Sequence, residues 1–176
     1  MKNTEEIFSM LKDKFPEDVL NIVKGQPVED FIQVSPSSIE KISYFLRDDA
    51  ELKFDNLMNL SGVDDFNGKK IKDQSGREIM NGGTLSVFYH LESMELKHKV
   101  TLKTSTDRDI PEINSVAAVW HSANWHEREA FDLFGIKFLN HPDLRRILMP
   151  YDWEHGFPLR KDYENPEFYQ GMKVPY

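Results

Sequence analysis

His126, Glu127 and Glu129 are the residues whose types and spacing come nearest to a catalytic or metal-binding set. His126-Glu127 opens the His-Glu-x-x-His pattern, in which two histidines one helical turn apart hold zinc and the glutamate serves as general base. Ala130 stands where the second histidine is required. His126 with Glu129 supplies two ligands, and zinc needs at least three from the protein. His121 and His126 point to different faces of any helix that contains both. A stand-alone metalloenzyme built on His126, Glu127 and Glu129 is therefore a remote alternative. No glycine-rich dinucleotide fingerprint, phosphate-binding loop or nucleophile elbow occurs. The acidic pair Asp64-Asp65 has Gly68 in the wrong frame for a calcium loop.

The element that must position these residues is a helix over 124–135. Asn124 is the expected N-cap, with Glu127 three residues on, where its carboxylate can return to the cap N–H. Gly135 is the expected stop. At 100° per residue Leu133, Ala130, Phe134 and Phe131 form the apolar face, and Arg128, Asp132 and Glu129 gather opposite. Glu127 projects into the apolar stripe. It is either the capping-box partner, favoured by the positive helix end, or a partly buried carboxylate that needs an arginine. Arg145 and Arg146 are the nearest candidates in sequence.

Elsewhere the patterning is of short elements in mixed order. Residues 4–15 place Ile7, Met10, Leu11 and Phe15 at helical spacing behind Thr4 as cap. Residues 19–23 and 31–34 read as strands around a turn at 25–27. A helix is expected from Ser35, with Pro36 in its first turn and Ile39, Ile42, Phe45 and Leu46 on one face. Residues 52–63 read as a strand, and 64–83, rich in Asn-Gly and Gly-Gly steps, as a surface excursion. Leu85, Val87, Tyr89 and Leu91 alternate, then Leu96, His98, Val100 and Leu102, which predicts an antiparallel hairpin with its connection at 92–95. The fold class expected is α+β: a two-layer sandwich of a small mixed or antiparallel sheet with two to three helices, plus an extended C-terminal arm. The division is a domain at 1–140 and an arm at 141–176.

The 176 residues, 39% of them apolar, are enough for one independent core. The longest apolar run, 116–120, is far short of the ~20 residues a membrane span needs. Lys and Arg number 22 against 30 Asp and Glu, a net charge of −8, which repels nucleic-acid backbones and anionic lipid surfaces alike. There is no cysteine, so disulfides, thiolate nucleophiles and cysteine-ligated iron–sulfur clusters are excluded within the chain. The N-terminus lacks the apolar core of a secretory signal, and a cytoplasmic location is expected.

From His141 onward five of the nine prolines and, within 151–176, seven aromatic residues appear. Prolines forbid a long helix, and an extended segment cannot bury seven rings against itself. It either wraps its own domain or docks on a partner. Arg145, Arg146 and Arg160 interleaved with rings give it the composition of an interface hot spot, which favours the partner.

Two segments then identify a family. Glu127-Arg128-Glu129-Ala130-Phe131-Asp132-Leu133-Phe134-Gly135-Ile136, followed by His141-Pro142-Asp143-Leu144-Arg145-Arg146-Ile147-Leu148-Met149-Pro150, resembles the signature of the 30 kDa (C) subunit of proton-pumping NADH:quinone oxidoreductase, respiratory complex I. Asp152-Trp153-Glu154 and Pro158-Leu159-Arg160-Lys161-Asp162-Tyr163 match the tail of that family. Residues 154–158 are one longer than its usual form, and 64–83 has the look of an insertion.

The resemblance implies a member of the peripheral arm with no catalytic, cofactor-binding or metal-binding residue of its own. The flavin (FMN), iron–sulfur clusters and quinone would belong to the parent complex, at the cytoplasmic face of the bacterial inner membrane. The partner implied is the hydrogenase-like (D) subunit, with other peripheral-arm subunits, and contact with the membrane is only indirect. Glu127, Arg128, Glu129 and Asp132 would be structural or interfacial charges. Arg145, Arg146, Arg160 and Lys161 would anchor the arm, with Asp143, Trp153, Asp162 and Tyr163 in the same interface. The nearest alternative is the equivalent subunit of a related membrane-bound hydrogenase or other quinone-linked dehydrogenase.

Overall fold

Strands that turn apolar residues inward build the central sheet, and amphipathic helices cover one of its faces. The structure, a computed structural model, describes residues 1–25, 29–72, 76 and 78–174. In chain order the elements are α1 (Thr4–Lys14), β1 (Val19–Val23), β2 (Phe31–Val34), α2 (Ile39–Asp48), β3 (Asn56–Asp64), β4 (Lys69–Lys72), β5 (Glu78–Asn81), β6 (Thr84–Glu92), β7 (Lys99–Asp107), β8 (Glu112–Asn114), α3 (Ala123–Phe134), β9 (Lys137–Leu139), β10 (Phe168–Tyr169) and β11 (Met172–Lys173).

The main sheet has five strands in the order β1-β2-β7-β6-β3. Only β2 and β7 run parallel; the remaining pairs are antiparallel. Leu85, Val87, Tyr89 and Leu91 of β6 and Val100 and Leu102 of β7 point into the core. Ile7 and Leu11 of α1 meet them there, with Ile39, Ile42 and Leu46 of α2. This is the expected α+β class with a mixed sheet. Beside it lie three small two-stranded sheets, β4–β5, the parallel pair β8–β9, and β10–β11.

Several boundaries differ from expectation for local reasons. Asn3, not Thr4, caps α1: its Oδ1 accepts the Glu6 N–H at 2.9 Å, and Glu6 Oε2 accepts the Asn3 N–H at 2.7 Å. Residues 35–38 form a turn, so α2 starts at Ile39 and not at Ser35. Its N-cap Ser38 sends its hydroxyl to Asp18 instead of capping the helix.

β7 begins at Lys99 because His98 turns inward. The buried ring packs on Phe54 at 4.8 Å, with Nε2 2.6 Å from the Leu52 carbonyl. The excursion at 64–83 contains the β4–β5 hairpin. Residues 26 and 27 of the first expected turn, Ser75 of the excursion, and Pro175 and Tyr176 of the arm lie outside the described residues.

Candidate functional site: the charged face of helix α3

The periodicity of α3 predicts Arg128, Asp132 and Glu129 in water. Arg128 and Asp132 are instead buried and only Glu129 is exposed, because residues 141–162 lie across that face. The apolar stripe is correspondingly less covered than expected, with Phe131 and Leu133 half-buried. The helix starts at Ala123 without a side-chain cap, so the expected Asn124 cap is not formed. Gly135 ends it in the left-handed conformation at φ 76°.

Asp132 is the centre of the face. Its Oδ1 accepts from Arg146 Nη1 at 2.7 Å. Its Oδ2 accepts three successive backbone N–H groups, of Ile147, Leu148 and Met149, at 3.0, 2.7 and 2.9 Å. Burial pushes the carboxyl pKa up. The Met149 and Leu148 N–H groups, then Arg146 and the Ile147 N–H, outweigh it and hold the group below its ordinary value. The arm also satisfies carbonyls of the last helical turn. Arg160 Nε donates to Phe134 O at 2.8 Å and the Leu159 N–H to Leu133 O at 3.1 Å, which places a cation where the helix dipole favours one. The Phe157 ring packs under the Arg160 guanidinium at 4.6 Å and against Gly135.

A second fastening joins the arm to the sheet. Arg108 is buried, and its Nη1 lies 2.6 Å from Asp64 Oδ1 in an ion pair that is not an aligned hydrogen bond. Its Nη2 donates to Asp162 Oδ1. Asp64 Oδ2 accepts the Lys161 N–H at 2.9 Å, and Asp162 Oδ2 accepts the Met80 N–H of β5 at 3.0 Å. Burial alone would raise Asp64, but Arg108 and the Lys161 and Phe66 N–H groups hold it below the usual carboxylate range. Lys161 Nζ stands 5.5 Å from the Phe66 ring, and the Tyr163 N–H closes a turn on Arg160 O.

Glu127 is fully buried, as its place in the apolar stripe predicts, but finds neither of its expected partners. It accepts from Ser115 Oγ at 2.6 Å and from the Val116 N–H at 2.7 Å, so it neither caps its own helix nor pairs with an arginine. Its nearest ring nitrogen, His141 Nε2, is 3.9 Å away. His141 is a neutral neighbour, because its Nδ1 accepts the Asp143 N–H at 3.0 Å and its Nε2 faces the Asn124 carbonyl at 3.2 Å. Burial depresses its pKa further. Without a cation, burial pushes Glu127 up to about 7, against the opposing pull of Ser115 and Val116.

Of the remaining signature residues Arg128 is buried and the others sit nearer water. Arg128 Nε donates to the Arg145 carbonyl at 3.2 Å, and its guanidinium lies 4.9 Å from the Trp125 ring. Arg145 pairs with Asp143 at 2.9 Å in the open. Trp153 packs on His155 and Tyr169, each at 5.2 Å. Glu129 and His126 line a groove of about 270 Å³ beside β3. Glu127 points away from them into the interior, so the three residues of the metalloenzyme alternative are not brought together. Among the described residues no three His, Asp or Glu side chains converge as a metal set.

Sequence reasoning misses Asp64, Arg108, Ser115 and His141 as site residues. Ser115 and Arg108 lie in segments with no motif, and the pattern around Asp64 suggests only a calcium ligand. The proline after His141 and the Asp143 beyond it are the one local hint of a structured turn.

Residues 32–169 match the family described as respiratory-chain NADH dehydrogenase, 30 Kd subunit. The chain belongs to that family. Its relatives include the C subunit of NADH-quinone oxidoreductase from Chlorobium phaeobacteroides, 42% identical over 177 residues that cover 100% of this chain and 98% of the relative. The same subunit from Chloroherpeton thalassium is 39% identical over 98% of this chain, which spans 65% of that longer relative.

The 30 kDa family fold recurs in a solved trypsin-resistant fragment of Nqo5, with a TM-score of 0.58 at 22% identity over 80% of this chain and 98% of the fragment. One polypeptide of a membrane-bound sulfane sulfur reductase has it too, at a TM-score of 0.54 and 19% identity, covering 91% of this chain and 85% of that one. Among the described residues no helix is long and apolar enough to cross a membrane.

Proposed function

We propose that this member of the 30 kDa family is a non-redox structural and assembly component of the peripheral arm of a proton-translocating NADH:quinone oxidoreductase. It docks on the hydrogenase-like (D) subunit near the quinone site, at the cytoplasmic face of the bacterial inner membrane, and touches the bilayer only through the complex. Residues 1–140 form the domain and 141–176 the docking arm. FMN, iron–sulfur clusters and quinone are held by other subunits; the lack of any cysteine here supports that division.

One observation carries the docking role. The arm is fastened to its own domain largely through charges, at Asp132–Arg146 and Asp64–Arg108–Asp162, while several of its large apolar groups stay uncovered. Tyr151 is 95% exposed, and Leu148, Phe168 and Met172 are more than half exposed. Polar fastening fixes the shape of the segment and leaves its apolar surface for another protein.

The test is affinity purification of the tagged chain from gently solubilised native membranes, with partners identified by mass spectrometry. Recovery of a hydrogenase-like subunit together with iron–sulfur and NADH-binding subunits is expected. A nickel hydrogenase or sulfur reductase partner would move the chain to a sister machine. Recovery of the chain alone beside an intact complex would end the docking role.

A further inference from the structure

Arg128 is a buried cation without a counter-charge. Its exposure is 6%, yet within the described residues its single hydrogen bond goes from Nε to a neutral carbonyl, that of Arg145. The surrounding carboxylates are committed elsewhere. Asp132 serves Arg146 and three backbone N–H groups, Glu127 serves Ser115 and Val116, and Asp143 serves Arg145. Both Nη atoms of Arg128 make no hydrogen bond to the described residues and reach the surface. Beside them Trp125, the most exposed tryptophan of the chain, leaves 63% of its surface open while its ring lies against the guanidinium. Arg145, with its side chain 71% exposed and its charge shared with Asp143, is the next guanidinium along the chain and supplies the carbonyl that holds Arg128.

We infer that Arg128, stacked on Trp125 and flanked by Arg145, is a socket for one aspartate or glutamate side chain of a neighbouring subunit. A guanidinium with so little of its surface in water gains from a charged partner that completes its hydrogen bonds. Its Nε is already fixed and one face is covered, so the two free amino groups are held in a fork that suits a carboxylate. Stacking on tryptophan lowers the cost of burial while the socket is empty. The occupant is a protein carboxylate and not an anionic lipid surface, because the chain as a whole carries −8 and repels extended negative surfaces. Arginine and tryptophan are also the residue types on which interface binding energy concentrates.

The inference rests on the proposed assembly role, and its test separates the two. Cells would carry wild-type chain under one tag and a variant under another. The ratio of the two in the purified complex is then read by quantitative mass spectrometry. Arg128→Gln and Arg145→Glu are each expected to reduce incorporation by at least about tenfold, a modest share of what stranding a buried interfacial charge costs. Arg145→Glu is at an exposed position and keeps the backbone carbonyl that holds Arg128, so it tests the socket even if Arg128→Gln folds poorly.

A photo-cross-linking residue at position 125 should join a segment of another subunit that carries an Asp or Glu. Incorporation of both variants at the wild-type ratio would overturn the socket. So would a cross-link only to lipid, to this chain, or to a segment without an acid. If wild-type chain is recovered in the complex while position 125 stays uncross-linked, the socket alone falls. If wild-type chain is never recovered in the complex, the assembly role falls and the socket with it.

Discussion

Asp132 and Arg146 meet at 2.7 Å, fourteen positions apart in sequence, and the same carboxylate collects the next three backbone N–H groups of the chain. One side chain thus fixes the path of four consecutive residues, in the manner of a bound anion in a backbone nest. The helix supplies the anion and the arm supplies the cradle, so the geometry of each depends on the other.

Asp132→Asn should therefore cost about 2–4 kcal/mol, the range for stripping charge from a buried, hydrogen-bonded carboxylate. Because the folded-state pKa lies below the unfolded one, Asp132 contributes fully above the carboxylate range, and that contribution is lost as pH falls through it. Urea unfolding of wild type and Asp132→Asn should converge in acid and separate near neutrality. A constant gap across pH would mean that the charge is not what holds the arm.

Glu127 behaves oppositely. Its folded pKa of about 7 exceeds the unfolded value, so the native state binds the extra proton and stability rises as pH falls toward the ordinary carboxylate range. Between about pH 8 and pH 5.5 the gain is about 2 kcal/mol on that basis. Glu127→Gln keeps an acceptor for the Val116 N–H and removes the buried charge. Its unfolding free energy should be flatter with pH and exceed that of wild type above about pH 7. Parallel profiles for the two proteins would assign the neutral-range titration to another group.

These two carboxylates mark how far the sequence is legible. The helical wheel places Glu127 inward correctly, since 3.6-residue periodicity is local information. Its partners, Ser115 and the Val116 N–H, sit in the loop before the helix, and no motif marks them. Asp132 fails the other way: periodicity puts it in water, and only the arm folding back buries it. β6 is readable from alternation to within a residue, and β1 and β2 from two short apolar runs around a turn. The three-residue strands β8 and β9 pair in parallel across the whole of α3, and such short segments carry no period. Arg108 shows the same limit, because its two aspartates lie in β3 and in the arm.

Gly135 joins the helix to the arm through a close approach. Its φ of 76° is a left-handed conformation, and a Cβ there would stand 2.5 Å from the Phe157 ring. Gly135→Ala should cost more than the ~1 kcal/mol of backbone strain alone, roughly 2–3 kcal/mol. Adding Phe157→Ala should return the steric share and leave the backbone share. Thermal melts of the two single variants and the double variant measure this directly, and strict additivity would show that the ring and the glycine are not in contact.

Cutting the chain after Pro150 removes Arg160, Lys161 and Asp162 but no residue of the buried hydrophobic core. The truncated domain should fold, since its sheet and three helices keep their packing. It should nevertheless be less stable, because Arg108 and Asp64 lose Asp162 and the Lys161 N–H and keep only each other and the Phe66 N–H. A loss of about 2–3 kcal/mol is expected, below the roughly 3–5 kcal/mol of breaking a buried pair outright. Arg108→Ala in the full chain breaks that pair and should cost more than the truncation. Denaturant unfolding of both proteins orders them. A truncated chain less stable than Arg108→Ala would show that the arm holds the domain together through its apolar contacts, and would leave little of its surface free for a partner.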